Sequence, residues 1–116
     1  MPRASATSSR LSSAAPVFTA LGDATRLALV TRLCDEGPLS IARLTDGTSL
    51  SRQAVTKHLQ VLSDAGLARA AWSGRERHWR VDAKRLAEVR RLLARISRQW
   101  DAALGRLKRL VEEDEA

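Results

Sequence analysis

Residues 39–67, LSIARLTDGTSLSRQAVTKHLQVLSDAGL, hold two short amphipathic segments separated by a break at Gly47-Thr48-Ser49-Leu50. Ser40 has the chemistry of an N-cap for the first segment, in which Ile41 and Leu44 are expected to face inward. Ser51 stands in the same position for the second, where Ala54, Val55, His58, Leu59 and Leu62 fall on or beside one face. Arg52, Gln53, Thr56, Lys57 and Gln60 are left for solvent or a ligand, and Gly66 supplies the left-handed residue that ends a helix. Ser51, Arg52, Gln53, Thr56, Lys57 and His58 make up a set able to hydrogen-bond base edges and phosphates. Two helices with such a set opening the second are what a helix-turn-helix needs, because its second helix meets the major groove with its N-terminal residues.

Composition points the same way. The 116 residues suit one domain. They carry 20 Lys and Arg against 13 Asp and Glu, a net charge of +7. That balance favours a polyanionic partner, nucleic acid first and an anionic membrane surface second. A single cysteine, Cys34, leaves no intramolecular disulfide framework and suits a reducing cytoplasm. No apolar run approaches the roughly 20 residues of a membrane span. Residues 1–15, MPRASATSSRLSSAA, superficially resemble an organelle transit peptide, being basic, serine-rich and free of acids. Their small polar side chains are instead expected to form a disordered tail.

Pro16 is expected to start the first helix, with Val17, Phe18 and Leu21 forming its apolar face. Asp23 is expected to cap a second helix, in which Leu27, Val30, Leu33 and Cys34 would point to the core until Gly37-Pro38 ends it. After Gly66 the period shortens. Residues 67–72 and 77–81 can alternate as strands about a tip at Ser73-Gly74-Arg75-Glu76, with Trp79 and Val81 packing inward and His78 and Arg80 outward. A basic hairpin beside a helix-turn-helix makes a wing, and Arg75 and Arg77 are expected to meet phosphates there.

Asp82 is expected to cap the last helix. Along it Leu86, Val89, Leu93, Ile96, Trp100, Leu104, Leu107 and Val111 recur in steps of three and four. So long an apolar stripe cannot all be buried in one small body, and a two-fold copy of the chain is the economical cover. The expected fold is therefore mainly α with a small β-hairpin: a winged helix-turn-helix over residues 16–82, a dimerisation helix over 83–112 and an acidic tail over 113–116.

Several blocks in order carry a family likeness: Phe18-Thr19-Ala20-Leu21-Gly22-Asp23-Ala24-Thr25-Arg26-Leu27, Gly37-Pro38-Leu39-Ser40, Ser51 to Leu59, Ala65-Gly66-Leu67 and Gly74-Arg75-Glu76-Arg77. Together, over roughly residues 16–100, they resemble the ArsR/SmtB family of dimeric winged-helix transcription factors, usually repressors released by a metal ion or another signal. The resemblance implies a reader at Ser51–Ala65 and dimerisation through the first and last helices. Phe18, Leu93, Ile96, Trp100, Leu104 and Leu107 are the expected interface.

The family's metal motifs are missing. Ile41-Ala42-Arg43-Leu44 holds no cysteine pair, and no histidine lies on the last helix. One Cys with two distant His, His58 and His78, does not make a zinc site. Neither metal nor cofactor is therefore expected, and Cys34 reads as a small core residue. The block Gln99-Trp100-Asp101 with Leu104, Leu107 and Leu110 resembles the subgroup without those motifs. No nucleophile–base pair, glycine-rich phosphate loop or paired carboxylates suggest an enzyme. The expected protein is a cytoplasmic homodimeric repressor on palindromic double-stranded DNA, autoregulatory in one version, its small-molecule effector unidentified. The alternatives are a winged-helix module for protein or RNA, or a metal- or redox-responsive repressor.

Overall fold

Five helices and three short strands make up the computed structural model, which describes residues 6–115: α1 (Ala6–Leu21), α2 (Ala24–Glu36), β1 (Leu39–Ser40), α3 (Ile41–Thr45), α4 (Arg52–Asp64), β2 (Ala68–Ser73), β3 (Glu76–Val81) and α5 (Ala83–Glu115). The elements start where cap chemistry allows. The Asp23 carboxylate accepts from Arg26 N at 3.0 Å, Ser40 Oγ from Arg43 N at 3.2 Å, Ser51 Oγ from Ala54 N at 3.1 Å and Asp82 Oδ1 from Arg85 N at 3.1 Å. Each satisfies an amide with no partner inside its own helix.

The core is one cluster in which Leu44, Val55, Leu59, Leu62, Leu67 and Val17 are fully buried. α3 and α4 meet across it, and α1 and α2 close it from behind. The sheet order is β1-β3-β2, antiparallel throughout, with Leu39 opposite Trp79 and Ala70 opposite Trp79 on its other side. β1, only two residues long, was not legible in the hydropathy pattern. The hairpin closes between Ser73 and Glu76 through Gly74-Arg75. Gly74 has φ +62° while Arg75 stays at negative φ, which fits a type II′ turn with glycine in its first central position.

Three expectations are corrected. α1 begins at Ala6, so Pro16 lies inside the helix and residues 6–15 are not a disordered tail; residues 1–5 lie outside the described residues. Ala14 is buried, and Arg85 of α5 fastens this segment by donating to Ser13 O at 2.6 Å and Ser13 Oγ at 3.4 Å. Secondly, α5 runs to Glu115, so the acidic segment continues the helix; Ala116 lies outside the described residues. Thirdly, α2 buries Leu29, Val30 and Leu33, while Cys34 is exposed and Leu27 is 50% exposed. Its inward seam is turned by roughly a quarter of the helix circumference from the Leu27–Val30–Cys34 line. Arg26 lies toward that inward side, its Nε donating to Ala20 O at 2.6 Å.

Asp23 and Asp82 both have carboxyls held below the ordinary value of 3.8. For Asp23 the main cause is the hydrogen bond from the Arg26 backbone, aided by the charges of Arg26 and His58; for Asp82 it is the hydrogen bond from the Arg85 backbone, then Arg69. A depressed acid stabilises the fold above its unfolded pKa and loses that contribution as pH falls through its folded one. Thermal midpoints should therefore drop as pH falls below about 3.8. Asp23→Asn/Asp82→Asn protein, which keeps capping side chains, should show a shallower drop. Identical acid limbs would mean these two groups do not titrate with unfolding.

Candidate nucleic-acid interface

The N-terminal half of α4 is a polar face on an apolar base. Val55, Leu59 and Leu62 hold the helix on the core, which leaves Gln53, Thr56 and Lys57 exposed on the other side and Arg52 exposed at the first residue of the helix. Among the described residues the side chains of Arg52, Gln53 and Lys57 have no intramolecular polar partner. Two of the remaining hydroxyl groups are partly committed. Ser51 Oγ accepts the cap bond, and Thr56 Oγ1 donates to Arg52 O at 2.8 Å. Ser51 keeps its O–H for a phosphate, whereas Thr56 offers lone pairs and a methyl. Gln60 Nε2 is held by Asp64 Oδ1 at 2.9 Å. The helix dipole leaves the same end of α4 partly positive, which suits an anion.

His58 does not join that face. Its half-buried ring turns toward the α1–α2 corner, with Nδ1 3.4 Å from Arg26 Nη1 and 4.0 Å from an Asp23 carboxylate oxygen. It ties α4 to the rest of the body, so the expectation that it is displayed with Arg52 and Lys57 is corrected. The reason is its position one turn from Val55 and one turn from Leu62, at the margin of the buried stripe.

A residue that sequence reasoning missed sets the turn before α4. Arg32 of α2 donates through Nη1 to Asp46 O at 3.0 Å and Leu44 O at 3.4 Å, and through Nε to Glu36 at 2.6 Å. It closes the end of α3 and fixes where the helix-turn-helix break begins. Its partners lie 12 and 14 residues away, so no local pattern announces the role.

The wing adds a second basic element. Arg75 is exposed at its tip, and the exposed Arg77 has its guanidinium 5.3 Å from the centre of the Trp79 ring. Trp79 is buried with its Nε1–H lacking an acceptor among the described residues. At the base Arg69 pairs with Asp82 at 2.7 Å, and at the tip Glu76 lies 3.0 Å from His78. Away from the wing and α4, Phe18 and Leu93 are part-exposed, Ile96 is half-buried, and Trp100, Leu104, Leu107, Leu110 and Val111 stand exposed along α5. No group of three or more His, Cys, Asp or Glu side chains converges to hold a metal among the described residues. No described helix is long and apolar enough to cross a membrane.

A three-stranded sheet with a basic hairpin, packed on a helix-turn-helix whose second helix presents Arg and Gln, defines a winged helix-turn-helix DNA-binding protein. The family described as "Helix-turn-helix domain" matches residues 21–69. The HTH-type transcriptional regulator Rv2034 of Mycobacterium tuberculosis is 37% identical over 97 residues, covering 84% of this chain and 87% of that protein. Among solved structures, an ArsR-like transcriptional regulator from Rhodococcus sp. RHA1 superposes with a TM-score of 0.70 at 35% identity, covering 85% of this chain and 92% of that one. The AntR antimony-specific transcriptional repressor superposes with a TM-score of 0.61 at 28% identity, covering 90% of this chain and 92% of its own. The chain belongs to the ArsR family of transcriptional regulators.

Proposed function

We propose that the protein is a homodimeric transcriptional repressor that reads an imperfect palindrome with two copies of α4, one in each of two successive major grooves. The observation that carries the reading is the exposed start of α4, where the side chains of Arg52 and Gln53 lie at the helix N-terminus with no intramolecular polar partner among the described residues. Arg is suited to the paired acceptors of guanine, and Gln to the donor–acceptor pair of adenine. Ser51, Lys57, Arg75 and Arg77 are assigned to phosphates, which set register and salt dependence without reading sequence. Thr56 is assigned a methyl and lone-pair contact, because its proton is turned back onto Arg52 O.

Dimerisation is supported by the exposed stripe on α5, and the part-exposed Phe18 of α1 is assigned to the same interface. Repression, rather than activation, is supported by the name of the antimony-specific relative. Metal or metalloid release is not part of the reading, since Cys34 is the chain's one thiol. Binding to the protein's own promoter is the first regulatory target to test.

Selection from random duplex DNA, followed by sequencing of what the protein retains, tests the whole reading. The expected product is an inverted repeat with half-sites about 10 base pairs apart, centre to centre. Retention without any shared sequence, or a preference for RNA, would overturn it. Within that site Arg52→Ala should cost about 1–3 kcal/mol and relax preference at one position of each half-site. Lys57→Ala should weaken all duplexes alike and flatten the salt slope by about one per protomer. If neither variant changes the titrations, α4 is not the reader.

A further inference from the structure

The wing carries an indole that neither the core nor the basic set accounts for. Trp72 is 72% exposed. It is directly opposite Arg77 in the β2–β3 ladder, next to the hairpin tip that holds Arg75. The ladder places Trp72 on the same face as Ala70 and Ala68, the face that carries Trp79 into the core. The body does not reach as far as the tip, so Ala68 and Trp79 are buried while Trp72, on the same side, is not. Exposing so large an apolar ring on a monomer is unfavourable, and its surroundings say what covers it. Arg75 and Arg77 flank it, and the acid at the tip, Glu76, is engaged by His78 at 3.0 Å.

We infer that Trp72 is a DNA contact: the wing seats its indole on the sugar edge of the duplex beside the phosphates held by Arg75 and Arg77. The inference rests on the DNA-binding reading above and adds a residue that none of the basic contacts supplies. A flat ring with one N–H donor suits deoxyribose and a phosphate oxygen, being apolar over its face and polar at one edge. Such a contact is short-range and releases no counterion. It therefore adds affinity without adding to the salt dependence, in contrast to the arginines around it.

The test uses the full-length protein and a duplex carrying the selected repeat. Trp72→Ala should bind about tenfold more weakly, as expected for losing the burial of roughly a quarter of an indole's surface against the duplex. Its plot of log affinity against log salt should run parallel to that of the unaltered protein, whereas Arg75→Ala should give a shallower one. Trp72→Phe should recover most of the loss. In the unaltered protein, acrylamide should quench a component of the fluorescence that Trp72→Phe lacks, and duplex should shield that component. Binding by Trp72→Ala within twofold of the unaltered protein overturns the assignment. So does a component that stays quenchable in the complex, or a drop in sedimentation coefficient for Trp72→Ala, which would make the ring a contact between protein copies. Failure of the unaltered protein to bind any duplex would instead remove the DNA reading itself.

Discussion

Leu104→Glu should turn the proposed dimer into monomers and lower operator affinity by at least about a thousandfold, because a lone half-site contact replaces two linked ones. The expectation rests on the shape of α5. Its 33 residues make a helix about 50 Å long. Only its first part packs on the body, where Val89 and Leu92 are buried. Beyond Leu92 the stripe Trp100–Leu104–Leu107–Val111 steps by four, three and four, and its members are 57–67% exposed. A glutamate in the middle of that stripe would be desolvated in the dimer with no partner, a cost of several kcal/mol per chain. The fold should survive, since Leu104 is not part of the core cluster. Circular dichroism would establish that, and sedimentation velocity with a shift assay would read the two losses. A variant that sediments and binds like the unaltered protein would place the dimer interface elsewhere.

The parts of this molecule legible in its sequence are those fixed by local chemistry. Ser40, Ser51 and Asp82 each sit where a cap is needed, and each accepts the expected amide. The 3.6-residue period of α4 put Val55, Leu59 and Leu62 inside and Gln53, Thr56 and Lys57 outside. The Gly74 turn put Arg75 at the wing tip. What could not be read depends on residues far apart in the chain. The first turns of α1 are fastened by Arg85, 72 residues away. β1 is a strand only because β3 lies beside it.

The face of α2 was misjudged because hydrophobicity alone favours Leu27 and Cys34. The real seam includes a place for Arg26, whose guanidinium bridges Ala20 O and the His58 ring. The same bridge takes His58 away from the candidate DNA face. Trp72 went unnoticed for a related reason. Strand alternation says which side a residue faces, but not whether the body extends far enough to meet it.

Leu59→Ala should be the most damaging single change in the DNA-binding body, costing about 2–5 kcal/mol, the range for truncating a fully buried leucine. Leu59 has no exposed surface and lies on the inward side of α4, in the cluster that joins Leu44 of α3, Val17 of α1 and Leu33 of α2. A cavity there loosens the reader and its three supports together, and domains of this size have about 5–15 kcal/mol in all. The thermal midpoint should fall by about 10–20 °C at fixed protomer concentration. Operator binding should be lost near physiological temperature yet partly recovered on cooling or in excess duplex, because DNA binds only the folded form. Arg52→Ala should show the opposite pattern, with binding impaired at every temperature and the midpoint unmoved. The comparison separates holding the helix from reading with it. If Leu59→Ala melts within about 3 °C of the unaltered protein, its side chain does not support the reader as the buried cluster requires.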